Sequence, residues 1–152
     1  MTIVEMLKKN VRLYPEKTAL IYKESRISYE ALYKRSIALT NYLIDIGLKK
    51  GERVGLLMQK TPEVIISFLG VTGAGGVAFP IDNNQTLNHI QFLLKLTTPS
   101  ILIFSDSFQS MLSELSIPCP DEKIIVIGQK AKKQYQSWYL LRYSRTCWSL
   151  RG

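Results

Sequence analysis

The chain has 152 residues, 46% hydrophobic and 21% charged, with 20 Lys and Arg against 12 Asp and Glu. That size suits one domain burying about 68–70% of its unfolded surface, and six prolines and nine glycines exclude collagen-like and low-complexity types. The formal charge of +8 raises nucleic acid or an anionic membrane as a partner.

Thr2-Ile3-Val4-Glu5 has capping-box spacing, so a helix starts here. Ile3, Leu7, Val11 and Tyr14 form its apolar stripe, and Lys8 and Lys9 interrupt any signal-type apolar core. Pro15 ends the helix at Tyr14. Thr18–Tyr22 and Arg26–Ser28 read as short strands joined by the turn Lys23-Glu24-Ser25. Ser28 caps a long helix with Leu32, Leu39, Leu43 and Ile46 on one face. Gly47 then supplies a left-handed end, and Leu48 folds back on Leu43.

From Gly51 strands and helices alternate. Arg53–Met58 is an apolar strand, and Thr61-Pro62-Glu63 opens an apolar helix with a capping hydroxyl, a proline and an acid. Val77–Ile81, Ser100–Phe104 and Lys123–Ile127 are further strands. Thr86–Leu96 and a short segment near Ser107–Leu115 are helices between them. Unalternating apolar strands separated by helices predict an α/β fold, with parallel strands and helices on both faces, preceded by a helix and a hairpin. Val64–Ile81 carries no charge over 18 residues. Its four glycines and Pro80 fit a buried helix, a turn and a strand rather than a membrane span.

Gly73-Ala-Gly75-Gly76-Val-Ala78 matches a loose dinucleotide fingerprint, but it follows a helix and precedes a strand. Its dipole therefore has the wrong sign for phosphate, and it reads as a tight turn. No Walker-type loop occurs. His89, the one histidine, could join Asp82 or Asp106 in a triad, yet no Gly-x-Ser-x-Gly elbow accompanies it. It reads as a helix-surface side chain. Asp121-Glu122 is an acidic loop pair whose side chains diverge. Cys119, held between Pro118 and Pro120, has only Lys123 nearby to activate it. Two cysteines, Cys119 and Cys147, suit reduced thiols in a cytoplasm rather than a disulfide scaffold or a metal cluster. These residues supply no catalytic, cofactor-binding or metal-ligating set.

After Gly128 the pattern breaks. Residues 129–152 hold Lys130, Lys132, Lys133, Arg142, Arg145 and Arg151 without an acid, leaving 14 basic against 12 acidic residues in 1–128. Tyr135, Trp138 and Tyr139 share a helical face with Arg142, while Leu140, Leu141 and Tyr143 lie elsewhere. Two readings stand. The tail binds a polyanion or a lipid interface, or it is an unstructured or aberrant terminus. Since most of the charge sits there, nucleic acid is disfavoured as a partner of the body.

Several segments together resemble the N-terminal end of the adenylate-forming (AMP-binding) acyl-activating enzymes, the acyl-CoA synthetases and amino-acid adenylation domains. They are Tyr14-Pro-Glu-Lys-Thr-Ala-Leu20, Ile27-Ser-Tyr-Glu-Ala-Leu32, Gly47-Leu-Lys-Lys-Gly-Glu-Arg-Val-Gly55, Gly73-Ala-Gly-Gly-Val-Ala-Phe-Pro-Ile-Asp82 and Ser100-Ile-Leu-Ile-Phe104. Pro80-Ile-Asp82 leans toward the adenylation domains, and Asn83-Asn-Gln-Thr86 departs from the family's usual Pro-x-Tyr-Pro.

The resemblance implies a reaction of a carboxylic or amino acid with ATP and Mg²⁺, giving an acyl adenylate. Thioester formation follows, on CoA or on a carrier-protein phosphopantetheine. The family's phosphate loop, ribose Asp and catalytic Lys have no counterpart here, so no functional residue is carried over. The resemblance implies a partial ligase-like subdomain over 1–128 with the tail 129–152 attached, a truncated or split enzyme inactive alone. The alternative is an α/β interaction module pairing with a separately encoded ligase fragment.

Overall fold

The computed structural model describes residues 2–127 and 141–142. The chain forms two compact units, Met1–Gly51 with Lys60–Val77, and Glu52–Gln59 with Ala78–Gly152.

In the first unit, α1 (Ile3–Leu13) starts on the expected capping box. The Glu5 amide donates to Thr2 Oγ1 at 3.2 Å, and the Thr2 amide donates to Glu5 Oε2 at 2.6 Å. The strands β1 (Thr18–Tyr22) and β2 (Ser25–Ser28) pair antiparallel with Tyr22 opposite Ser25. The turn is thus Lys23-Glu24, one residue shorter than expected, because Lys23 takes a left-handed φ of 53°.

Ser28 caps α2 (Tyr29–Asp45) by accepting from the Ala31 amide at 3.2 Å. The helix closes as predicted, with Gly47 at φ 86° and the Leu48 amide on the Leu43 carbonyl at 2.9 Å. Helix α3 (Pro62–Gly73) follows Thr61, but the Thr61 hydroxyl makes no cap hydrogen bond. The proline and Glu63 are what favour its start.

The buried seam of α2 (Leu32, Ser36, Leu39, Thr40, Leu43) meets that of α3 (Ile66, Ser67, Leu69, Gly70, Val71). Gly70 and Gly73 set the closeness of this approach. A Cβ on Gly70 would lie 2.8 Å from Leu39, and one on Gly73 would lie 2.5 Å from Thr40 Oγ1.

The second unit is built on a sheet with strand order β4-β3-β5-β6-β7. Its central strands β3 (Arg53–Leu57), β5 (Ile101–Ser105) and β6 (Ile124–Ile127) are parallel, in the register Leu57 to Phe104 to Val126. All of β5 and β6 is buried, which explains the apolar runs Ile101–Phe104 and Ile124–Ile127. β4 (Val77–Ile81) lies beside β3. Helix α4 (Leu87–Thr97), capped by Thr86, sends Ile90 and Leu94 into a core with Leu57, Leu102, Phe104, Leu112 and Ile124. The stretch Asp106–Leu112 is a 3₁₀ turn running into the four-residue α5 (Gln109–Leu112).

β7 (Leu141–Arg142) pairs antiparallel with Val126 and Ile125. It falls inside the segment for which the sequence pattern predicts no element, and the open edge of β6 accounts for the pairing. The remaining tail residues, with their aromatic side chains and Cys147, lie outside the described residues. The predicted α/β alternation with parallel strands is the observed one.

Candidate functional site

Parallel strands bring their carboxyl ends to one edge, and in open α/β sheets ligands sit there, where strand order reverses. Here the chain steps from β3 outward to β4, then crosses back so that β5 flanks β3 on its other side. The reversal therefore lies between β3 and β5. At that point the Gln59 amide donates to Ser105 Oγ at 3.2 Å, and Asp106 begins the next turn. Ser105 is buried, and its hydroxyl, having accepted one hydrogen bond, keeps a proton to donate. Sequence reasoning passed over both residues. Their signal is positional, each closing an apolar run as the first residue with a hydrogen-bonding side chain after it.

The residues singled out earlier serve local structure. Gly73 is the last residue of α3, Gly75 takes φ 81°, and the Gly76 amide caps the Val71 carbonyl at 3.0 Å. Amides there are spent on the helix's own carbonyls, so the glycine run presents the negative end of a dipole rather than a phosphate cradle. Asp82 closes a turn after β4. Its Oδ1 accepts from the Asn84 amide at 3.0 Å and its Oδ2 from Gln85 Nε2 at 3.4 Å. His89 lies exposed on α4, its ring tilted against Phe92 with centroids 6.3 Å apart.

Cys119 is buried in the core of the second unit. Burial pushes its thiol up to about 11 from an ordinary 9.0, a change that Asp121 reinforces and a backbone hydrogen bond from Leu102 opposes. A thiol held protonated this way is a poor nucleophile. Asp121 and Glu122 sit on a 3₁₀ turn before β6.

Comparison with known proteins decides the family. A family model described as "AMP-binding enzyme" matches residues 7–141. The chain belongs to the AMP-binding enzymes. Within that family of adenylate-forming ligases, it is 31% identical over 93 residues to Gramicidin S synthase 2 of Brevibacillus brevis, covering 61% of this chain and 2% of that protein. The N-terminal domain of FACL13 from Mycobacterium tuberculosis superposes with a TM-score of 0.75 at 20% identity, over 97% of this chain and 39% of that one. A fatty acyl CoA synthetase of the same organism gives 0.72 at 21% identity, over 87% and 27%. This AMP-binding chain thus spans a small part of the curated relative and under half of each structural one.

ATP and Mg²⁺ are what the family implies. No group of three or more His, Cys, Asp or Glu is placed to hold a cation among those residues. The glycine turn faces the wrong way along its helix. No step through either group is derived from this part of the AMP-binding fold.

Proposed function

We propose that these residues are the N-terminal framework of a carboxylate-activating ligase. In that reading a carboxylic or amino acid is joined to AMP and then passed to a thiol, either CoA or a carrier-protein phosphopantetheine. The observation that carries it is the family match across residues 7–141, on a fold that superposes on the N-terminal domain of FACL13 with a TM-score of 0.75. Similarity to Gramicidin S synthase 2 and the run Pro80-Ile81-Asp82 support the amino-acid branch. ATP and Mg²⁺ are requirements of the complete ligase in this reading. The buried, protonated Cys119 supports a reducing, cytoplasmic setting.

The 152-residue polypeptide by itself forms no adenylate. The support is chemical: within it no Ser/Thr/Gly-rich phosphate loop occurs, and the glycine run Gly73–Gly76 caps a helix end. The test is pyrophosphate release from ATP with a panel of amino and carboxylic acids. Release above the protein-free rate would overturn this reading.

A second reading, an interaction module that pairs with a separately made ligase fragment, draws on α4. There Phe92 and Leu96 are 57% and 66% exposed. Co-expression with a fragment carrying the rest of an adenylate-forming domain, followed by affinity purification, tests it. Recovery of the pair supports the module, and recovery of this chain alone eliminates it. The tail as a polyanion binder rests on residues that, Arg142 apart, lie outside the described ones.

A further inference from the structure

Helix α1 has more apolar surface than its own unit uses. At 100° per residue, Ile3, Met6, Leu7, Val11 and Leu13 fall within about 160° of the helix circumference, an arc that also holds Asn10, and Tyr14 follows as the C-cap. Only part of that arc is covered. Leu7 is 6% exposed, and α1 packs on α2 and α3, yet Ile3, Met6, Leu13 and Tyr14 are 51%, 48%, 56% and 53% exposed. The opposite side carries Lys8, Lys9 and Arg12, all exposed, with Glu5 the one acid of the helix. The Glu5 carboxylate is already engaged by the Thr2 amide at 2.6 Å. Among the described residues no ion pair involves the three cations. Together with Glu5 and Leu13 they line a shallow open hollow.

We propose that α1 docks this protein on an anionic lipid surface, lying in the interface plane with its uncovered apolar arc among the acyl chains. Charge decides the occupant. A second copy packed through the apolar arc would leave the three cations on the far side unpartnered, and a nucleic acid would leave Ile3, Met6 and Leu13 uncovered. An anionic bilayer satisfies both halves of the helix at once, with the Lys and Arg stems reaching up to headgroup phosphates. Lys17, whose Nζ lies 5.3 Å over the Tyr14 ring, extends the basic margin past the helix end. Docking of this kind is peripheral. No helix among the described residues is long and apolar enough to span a bilayer. The proposal uses no residue of the strand-end crevice.

Flotation of the full chain with phosphatidylcholine vesicles, with and without about 30 mol% phosphatidylserine, tests it. The intact protein is expected to float with the anionic vesicles and to stay behind with the neutral ones. Ile3→Ser/Met6→Ser/Leu13→Ser should weaken binding by about tenfold or more. Lys8→Gln/Lys9→Gln, which leaves the apolar arc intact and changes only exposed side chains, should also weaken it by about tenfold or more. It decides the matter if the triple variant misfolds by circular dichroism. Trp138→Ala/Trp148→Ala should bind like the parent. The proposal is overturned if the parent does not float, if the α1 variants float like the parent, or if only the tail variant loses binding. A parent that is dimeric, made monomeric by the triple variant and without vesicle affinity, would also overturn it in favour of a self-interface.

Discussion

The Thr40 hydroxyl on α2 donates to the Gly70 carbonyl oxygen on α3 at 2.9 Å, and that same oxygen accepts the Ala74 amide at 3.1 Å. The two helices are therefore joined through the backbone of one at the point where it carries no side chain. Leu39 and Thr40 fill the space that side chains at Gly70 and Gly73 would need. Gly70→Ala would push a methyl to 2.8 Å from Leu39 Cγ, close to the root of that side chain, where little can rotate away. The gain in helix propensity offsets part of the overpacking, leaving a net loss of about 1–2 kcal/mol. Thr40→Val should cost about 1 kcal/mol through the lost hydrogen bond. Urea unfolding followed by circular dichroism measures both, and Thr40→Ser should recover most of the Val loss.

Gly47 is a glycine for the opposite reason. Nothing lies within 4 Å of a Cβ placed there, but its φ is 86°. Gly47→Ala should cost about 1 kcal/mol from backbone strain alone. Gly47→Asn, which tolerates the left-handed region, should cost less in the same experiment.

Ser67 is fully buried on α3 and its hydroxyl has no hydrogen-bond partner among the described residues. Neighbouring hydroxyls behave differently: Thr72 donates to the Phe68 carbonyl at 2.9 Å and Ser36 to the Leu32 carbonyl at 2.9 Å. Removing an unsatisfied buried hydroxyl relieves its desolvation cost, so Ser67→Ala should raise stability by about 1 kcal/mol. Ser67→Val, which enlarges the seam, should lower it.

Cys119 makes stability depend on pH at the alkaline end. Its folded thiol titrates at about 11 against 9.0 unfolded. Between those values the unfolded chain has lost a proton that the folded one keeps, so stability is intact below pH 9.0 and falls as pH rises toward 11. The loss should total about 2–3 kcal/mol. Cys119→Ala should remove that slope, at the expense of a lower plateau. In the parent at neutral pH, reaction of Cys119 with a thiol reagent should track unfolding.

Several elements were legible from a local rule acting alone. The Thr2 capping box, the Ser28 cap and the Gly47 closure with Leu48 on Leu43 each need only near neighbours in sequence, and each stands where the spacing puts it. Boundaries moved where a distant contact intervenes. α3 takes in Gly73, the first glycine of the predicted turn, where a Cβ would meet Thr40. The Gln59–Ser105 bridge was not legible at all, since it depends on the register of two strands 46 residues apart. The half-exposed arc of α1 was hidden for a related reason. A stripe at helical spacing tells which residues are apolar, but only the packing of α2 and α3 tells how much of the stripe is covered.

Pyrophosphate release by the purified 152-residue polypeptide, with ATP, Mg²⁺ and a panel of amino and carboxylic acids, tests the central claim most directly. The account predicts release no faster than the protein-free control for every acid. Acid-dependent release above that control would contradict it.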